Sequence, residues 1–283
     1  MRTPEMATAM SLIEAALSED VGDGDRTSEW TVPAESRSEA VIVAKQRLTV
    51  AGLTVTAEVF RAVDAELSVD FRSGDSDEVE RDDVVMAIVG PTRSLLTAER
   101  TALNFLGRLS GIATLTRAFV SRVEGTGARI VDTRKTTPGW RALEKMAVRA
   151  GGGTNHRMGL DDMVLVKENH IAAAGGLTAA IELVRRSNDG LPVEVEVRTG
   201  DELTEALDAG VKRILLDNMD PDRLREAVSL VRGRAGEGVT LEASGNVTLD
   251  TVRDVAETGV DLISVGALTH SAAAADFSLQ VFS

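Results

Sequence analysis

The feature that most constrains the fold is a regular alternation of short apolar strands and helices after Gly127. Helical segments such as Asp201–Ala209 and Pro221–Val231 separate these strands. Strands that alternate with helices of this length are typical of βαβ units, which form a parallel sheet. The predicted strands are Arg129–Val131, Met163–Val166, Val193–Val197, Arg213–Leu216, Val239–Glu242 and Leu262–Val265.

The strand Val193–Val197 distinguishes an open sheet from a barrel. Its valines and glutamates alternate, so the valines share one face and Glu194 and Glu196 share the other. A strand buried on both faces of an open sheet is normally apolar almost throughout. A barrel instead gives the valines a helix-covered outside and the glutamates an interior or mouth. The sequence therefore predicts an α/β barrel, whose active site would lie at the carboxyl ends of its strands.

The chain before Gly127 has the mixed pattern of an α+β domain. A helix is predicted to start at Thr3 and Pro4, and a long helix from Leu95 to Val123, interrupted near Ser110 and Gly111, is predicted to bridge the two parts. Between them the pattern predicts the strands Glu39–Ala44 and Val84–Val89 and the helix Thr54–Val63.

Composition excludes several classes of protein. The formal net charge of -14 argues against binding to nucleic acid or to a membrane surface, because both require a basic face. With no cysteine, disulfides and thiolate chemistry are excluded, so a metal would need oxygen or imidazole ligands, which favours magnesium. No run of about 18 apolar residues occurs and the first twenty residues lack a signal-peptide pattern, so we expect a cytoplasmic protein.

Each predicted strand ends in polar or small residues that a core position would not favour. From position 134 to 167 the chain carries a net charge of +4, although the whole protein is acidic. So many cations need anionic ligands to share one cleft, because like charges repel. The strand ends are Asp132-Thr133-Arg134-Lys135, Lys167-Glu168, Glu196 with Arg198, Asp217-Asn218, Ser244-Gly245-Asn246 and Gly266.

The types of residue at these ends predict the ligand. Arginine suits carboxylate or phosphate, and lysine acts as a point charge on phosphate. Glu196 and Asp217 add two carboxylates that could hold magnesium pyrophosphate or the hydroxyls of a ribose. The segments Ala243–Asn246 and Ser264–Ala267 contain glycine, as do the phosphate-binding loops after the last strands of many barrels. The pattern therefore predicts a phosphorylated sugar as ligand.

Several motifs are distributed over nearly the whole chain. The central motifs are Asp-Thr-Arg-Lys-Thr-Thr-Pro-Gly at 132–139, Glu144-Lys145, Ala147-Val148-Arg149, Gly151-Gly152-Gly153, Asn155-His156-Arg157 and Lys167-Glu168-Asn169-His170-Ile171. The flanking ones are Glu19-Asp20, Asp25-Arg26-Thr27, Glu99 to Asn104, Ser110 to Thr114 and Ser264 to Thr269. Together these motifs resemble the quinolinate phosphoribosyltransferase family and follow the order of that family, so the resemblance is specific.

This resemblance implies a fold and an assembly. Residues 1–110 would form an α+β sandwich-like domain completed by a C-terminal strand at 275–283. Residues 111–274 would form an incomplete α/β barrel with fewer than eight strands. The protein would be a homodimer or a larger homo-oligomer with shared active sites, in which the sandwich of one subunit covers the barrel mouth of the other.

The resemblance also implies a reaction: quinolinate and phosphoribosyl pyrophosphate would give nicotinate mononucleotide, CO2 and pyrophosphate in NAD synthesis. Arg134, His156, Arg157 and Lys167 would hold the carboxylates of quinolinate, helped by Arg100 of a neighbouring subunit. Lys135, Glu196 and Asp217 would be catalytic and would address phosphoribosyl pyrophosphate and its Mg2+, with the ion held mainly through that substrate. The 5-phosphate would bind at Ser244, Gly245, Asn246 and Gly266, and Thr133, Val265 and Ala267 complete the predicted substrate-binding set.

Other functions fit parts of the pattern. A related phosphoribosyltransferase would take nicotinate instead, and a molybdenum-associated homologue would keep the fold without this substrate. A barrel isomerase or aldolase would use Lys167 as a Schiff-base amine. A catalytically silent ligand-binding protein is a further alternative, but it should have lost several of Arg134, Lys135, Glu196 and Asp217.

Overall fold

The computed structural model describes residues 3–282, which form two compact units. The first unit contains the chain up to Arg117, the segment Thr136–Gly152 and the chain from Ala267 onward. The second unit contains Ala118–Lys135 and Gly153–Gly266. Among the described residues, none of the helices combines the length and the apolar character needed to cross a bilayer.

The predicted helices and strands are present in the predicted order, with further short elements between them. Up to residue 122 they are α1 (Pro4–Val21), α2 (Arg26–Thr31), β1 (Arg37–Ala44), β2 (Leu48–Thr49), α3 (Leu53–Val63), β3 (Ser68–Phe71), β4 (Glu78–Val79), β5 (Val84–Pro91) and α4 (Thr92–Arg122). They continue with β6 (Arg129–Val131), α5 (Arg141–Ala150), β7 (Val164–Val166), α6 (Glu168–Ala174), α7 (Leu177–Ser187), β8 (Val193–Val197), α8 (Gly200–Asp208), β9 (Arg213–Asp217), α9 (Pro221–Ala235), β10 (Thr240–Ser244), α10 (Val252–Ala256), β11 (Leu262–Ser264), α11 (Ala267–His270) and β12 (Phe277–Phe282).

The first unit is built on an antiparallel sheet. Its four strands lie in the order β12, β1, β5, β3, so the C-terminal strand pairs with β1. Ala40 and Ile42 of β1 are buried, and α3 buries Val59 and Phe60. The helix α1 begins where Thr3 accepts a hydrogen bond from the backbone of Met6, as the N-cap pattern predicted.

The predicted interruption of the long helix is wrong, because α4 runs unbroken through Ser110 and Gly111. Ser110 uses its hydroxyl to bind the backbone of Ala51, accepting from the N–H and donating to the carbonyl. A Cβ at Gly111 would lie only 2.0 Å from the carbonyl oxygen of Ala273. Both residues are therefore present for tertiary packing rather than to break the helix.

We expect the substitution Gly111→Ala to destabilise the protein. The added methyl would collide with a backbone carbonyl, and such overpacking costs about 1–3 kcal/mol, more than the helix propensity gained. The apparent Tm should fall by several degrees in a thermal melt followed by circular dichroism. Gly233→Ala is the matched control, since Gly233 lies in α9 with nothing within 4 Å of the added Cβ. An unchanged Tm for Gly111→Ala would contradict the packing role.

The second unit is an incomplete parallel barrel. Its six strands lie in the order β6, β11, β10, β9, β8, β7, and all neighbours are parallel. The first strand of this sheet in the chain, β6, pairs with the last, β11, so the sheet curls round as a barrel does. The two edge strands are β6 and β7, and the opening lies between them. Thr154 lies at this opening, where it forms a parallel bridge with Val131. The expectation of a barrel with fewer than eight strands is confirmed.

The alternation along β8 is also confirmed. Val195 and Val197 are fully buried, and Glu194 and Glu196 occupy the opposite face, where they are also buried. The predicted barrel strands agree with those of the structure to within two residues at each end. Helices α8 and α9 begin with the capping residues Thr199 and Asp220, whose side chains accept backbone N–H bonds.

Candidate active site

A cavity of about 220 Å³ lies in the second unit at the carboxyl ends of the parallel strands. Every strand of the barrel contributes to its wall, either directly or through the residues that follow it. The lining residues are Thr133, Arg134, Lys135, His156, Arg157, Leu165, Lys167, Glu196, Leu215, Asp217, Ser244 and Ser264.

Most of the residues predicted from the sequence meet in this cavity, but two groups do not. Arg100 is an exposed residue of α4 in the first unit. The loop residues after the last two strands, Gly245, Asn246, Val265, Gly266 and Ala267, are not among the residues that line the cavity.

Two lining residues were not predicted, Leu165 and Leu215, and Ser264 was named only as part of the segment Ser264–Ala267. The period of two along each strand could have revealed them. Leu215 lies between Arg213 and Asp217 on β9, so all three share the inner face. The same alternation links Glu242 with Ser244 on β10.

Four side chains, Arg134, Lys135, Arg157 and Lys167, give the cavity its positive charge. The guanidinium Nη1 of Arg157 donates to the carbonyl of Met163 at 2.9 Å. Burial, and then the charge of Arg134, lower the pKa of Arg157. Two guanidinium groups that repel each other in this way are stabilised by an anion between them. The cavity is therefore suited to a ligand with several negative charges.

Two carboxylates face these cations on adjacent strands. Glu196 Oε2 on β8 lies 2.9 Å from Lys167 Nζ. Asp217 Oδ2 on β9 lies 3.3 Å from Arg198 Nε and accepts from Asn218 Nδ2 at 3.0 Å. Arg198 Nη2 also lies 3.9 Å from Glu196, so this arginine joins the two acids. The site therefore brings carboxylates and cations together, and a sugar phosphate offers hydroxyls to the carboxylates and a phosphate to the cations.

The turns that follow β9 and β10 interlock at the mouth. Asn218 and Asn246 have positive φ angles of 53° and 48°, a conformation that asparagine tolerates better than most residues. The Asn218 N–H donates to the carbonyl of Ser244 at 2.8 Å. Gly245 has φ 116°, and a Cβ there would lie 2.2 Å from Asn218 Oδ1, so glycine is required. These turns fix the backbone just beyond Asp217 and Ser244.

A buried polar cluster lies on the inner face of the same strands. His156 Nε2 lies 3.0 Å from Glu194 Oε2 and 3.5 Å from Glu242 Oε2. Arg213 donates to both glutamates, at 3.0 Å to Glu194 and 2.8 Å to Glu242. Burial favours a raised pKa at Glu194, but the hydrogen bond from His156 and the charge of Arg213 lower it overall. Burial, and then the charge of Glu194, raise the pKa of Glu242 to about 7.

This raised pKa predicts a pH dependence of stability. Since the pKa of Glu242 rises from 4.5 to about 7 on folding, the folded protein holds an extra proton between these pH values. The free energy of unfolding should therefore fall by roughly 3 kcal/mol as the pH rises from 4.5 to 7. Urea titrations at pH 5, 6, 7 and 8 measure this change.

The matched variant for this measurement is Glu242→Gln, which cannot ionise. Its stability should lack the decline between pH 5 and 7. Glu194 acts in a different range, because its lowered pKa gives stability that is lost only below pH 4.5. An equally steep decline in Glu242→Gln would show that another group holds the proton.

The fold and the cavity together define a class: α/β-barrel enzymes that bind polyanionic ligands at the carboxyl ends of their strands. Residues 25–110 match the family described as quinolinate phosphoribosyl transferase, N-terminal domain, and residues 112–280 match its C-terminal domain. The chain belongs to the quinolinate phosphoribosyltransferase family.

Individual relatives resemble the chain over most of its length. It is 43% identical over 291 aligned positions to the chloroplastic nicotinate-nucleotide pyrophosphorylase (carboxylating) of Oryza sativa subsp. japonica, covering 96% of this chain and 77% of the relative. A probable nicotinate-nucleotide pyrophosphorylase (carboxylating) of Synechocystis is 43% identical, covering 94% and 90%. The solved nicotinate-nucleotide pyrophosphorylase of Francisella tularensis superposes with a TM-score of 0.94 at 38% identity, covering 99% of this chain and 98% of that one.

Proposed function

We propose that this chain is a decarboxylating quinolinate phosphoribosyltransferase of NAD biosynthesis. It transfers the phosphoribosyl group of phosphoribosyl pyrophosphate to quinolinate and releases pyrophosphate and CO2, which leaves nicotinate mononucleotide. The observation that carries this conclusion is that four cations and two carboxylates line one cavity. The chain that forms this cavity contains both domains of the family. Both substrates are polyanions, and the cavity has the charges that they need.

Quinolinate binds at the most cationic part of the cavity. The guanidinium groups of Arg134 and Arg157 and the ammonium of Lys167 hold its two carboxylates, because arginine matches a carboxylate in a bidentate manner. The like-charge effect of Arg134 on Arg157 supports this assignment, since a dianion between them removes the repulsion. Arg100 reaches the same substrate from a second subunit of a homodimer or larger assembly.

Phosphoribosyl pyrophosphate occupies the rest of the cavity. Lys135 contacts its pyrophosphate, and Glu196 and Asp217 face the ribose ring. Ser244 and Ser264 line the cavity at the ends of adjacent strands, which supports a 5-phosphate site there. Thr133 borders this site, and the loop residues Gly245, Asn246, Val265, Gly266 and Ala267 complete it with backbone N–H groups.

The site fits a magnesium ion that arrives with the pyrophosphate. Glu196 and Asp217 offer carboxylate oxygens on neighbouring strands, which are the ligands that magnesium prefers. Glu196 and Asp217 would hold such an ion together with oxygens of the substrate. When bound, magnesium neutralises charge on the departing pyrophosphate.

The mechanism follows from these positions. The pyridine nitrogen of quinolinate attacks the anomeric carbon, and the bond to pyrophosphate breaks. Glu196 and Asp217 offset the positive charge that builds on the ribose ring, while Lys135 stabilises the leaving group. The carboxylate next to the new pyridinium then leaves as CO2, because the positive nitrogen stabilises the carbanion, which takes up a proton.

One assay tests the function. Protein, quinolinate, phosphoribosyl pyrophosphate and magnesium should together release CO2 and nicotinate mononucleotide. Efficient use of nicotinate in place of quinolinate, or a requirement for ATP, would overturn the substrate assignment. The Schiff-base alternative is tested by borohydride trapping with a carbonyl substrate. The ion pair of Lys167 with Glu196 counts against that alternative, because a Schiff-base lysine reacts as an uncharged amine.

A further inference from the structure

The contacts of the His156 ring differ from those of a side chain that binds substrate directly. The backbone N–H of Arg157 donates to His156 Nδ1 at 2.7 Å. Since Nδ1 accepts, it carries no hydrogen, and the ring hydrogen is on Nε2. That N–H points to Glu194 Oε2 at 3.0 Å. Both ring nitrogens are therefore engaged inside the protein.

The partner of this ring is itself held in place. Glu194 is fully buried, and its other oxygen accepts from Arg213 Nε at 3.0 Å. The same guanidinium donates to Glu242, whose side chain is 1% exposed. Three groups of this cluster could hold a metal ion by their spacing, but Arg213 already supplies the positive charge. The His156 ring is therefore in contact with a buried carboxylate that Arg213 also binds.

The two residues before Arg157 are also held in place, by Asp132. The His156 N–H donates to Asp132 Oδ1 at 2.8 Å, and Asn155 Nδ2 donates to Asp132 Oδ2 at 2.6 Å. Asp132 is fully buried at the end of β6. The backbone at Arg157 is thus held at two points. Its N–H donates to the His156 ring, which contacts Glu194, and the N–H of His156 donates to Asp132.

We propose that His156 is a positioning residue and that Glu194, supported by Arg213 and Glu242, holds its ring. The ring fixes the backbone N–H of Arg157 and thereby directs the Arg157 guanidinium at a carboxylate of quinolinate. This inference rests on the proposed function and assigns a role to three interior residues of the barrel. It also replaces direct carboxylate binding by His156 with an indirect effect through Arg157.

The test is a double-mutant cycle between Glu194→Gln and Arg157→Ala, with KM measured for both substrates. Glutamine has one acceptor oxygen in place of two, so either the His156 or the Arg213 bond is lost. Loss of such a supporting partner costs about tenfold or more in binding, so KM for quinolinate should rise about tenfold or more. KM for phosphoribosyl pyrophosphate should change less than about twofold, since Arg157 does not address that substrate.

The cycle decides between positioning and direct binding. In the Arg157→Ala background, Glu194→Gln should raise KM for quinolinate no further, because its effect passes through Arg157. Additive effects would overturn the proposal and favour a direct contact of His156 with substrate. If the unmodified protein does not turn over quinolinate, the proposed function itself fails, so the two failures are distinguishable.

A control and a second variant keep the test decisive. Asp261→Asn removes another carboxylate paired with an arginine, Arg232, at the amino end of β11, away from the cavity. It should lower Tm and leave both KM values unchanged. If Glu194→Gln does not fold, the same cycle is run with His156→Asn, which removes the Nε2 contact with Glu194 but keeps an acceptor near the Nδ1 position. A non-additive cycle supports the proposal, and an additive one overturns it.

Discussion

Replacing Lys135 with alanine should lower kcat by about 100- to 1000-fold and leave KM for quinolinate within about threefold of its original value. The reason is that the charge on the pyrophosphate is larger in the transition state than in the bound substrate. Further negative charge develops on the departing pyrophosphate as the bond to the ribose breaks, so a cation there stabilises the transition state more than the bound substrates. Initial rates with both substrates varied give the two constants.

The matched control for this prediction is Lys212→Ala. Lys212 is an exposed lysine that directly precedes β9, at the amino end of the barrel strands. The same loss of charge there should leave kcat and both KM values unchanged. Glu196→Ala should resemble Lys135→Ala, because the role proposed for Glu196 is to offset charge on the ribose in the same transition state. Equal losses in kcat and in quinolinate affinity would contradict this division of roles.

Replacing Arg157 with alanine should change KM for quinolinate much more than kcat. KM for quinolinate should rise about 30-fold or more, since loss of one partner of a buried charge pair costs about 2–5 kcal/mol. Turnover at saturating quinolinate should fall much less, because the contact is present in the ground state as well. Steady-state kinetics at fixed, saturating phosphoribosyl pyrophosphate measure both effects.

A second substrate gives the internal control for Arg157→Ala. Nicotinate has one carboxylate, so if Arg157 holds the second carboxylate of quinolinate as proposed, its loss should reduce the discrimination between quinolinate and nicotinate. Arg186→Ala is the matched surface change, because Arg186 is a largely exposed arginine of α7. An unchanged KM for quinolinate in Arg157→Ala would show that Arg157 does not bind quinolinate.

The parts of the fold that depend on local pattern could be predicted from the sequence. The alternation in β8 requires only neighbouring residues, and it correctly separated the valines from Glu194 and Glu196. The cavity could also be anticipated, because the carboxyl ends of parallel strands meet whatever the details of packing. For the same reason Lys167 and Asp217 lie at one mouth although 50 positions separate them in the chain.

The parts that depend on contacts between distant residues could not be predicted. Ser110 and Gly111 suggested a helix break by their local propensities, yet their roles are set by Ala51 and by the carbonyl of Ala273. In the same way, nothing near Glu242 in the sequence indicates that Arg213 and Glu194 share its surroundings. A buried polar cluster becomes visible only when the barrel brings β8, β9 and β10 together.

The central claim is that the cations of the barrel mouth converge in order to hold a dicarboxylate. A crystal structure of the protein with bound quinolinate tests it most directly. We predict that one carboxylate contacts the guanidinium of Arg157 and the other contacts Arg134 and Lys167, inside the cavity bordered by Glu196. Quinolinate bound elsewhere, or bound in this cavity without contact to either arginine, would contradict the claim.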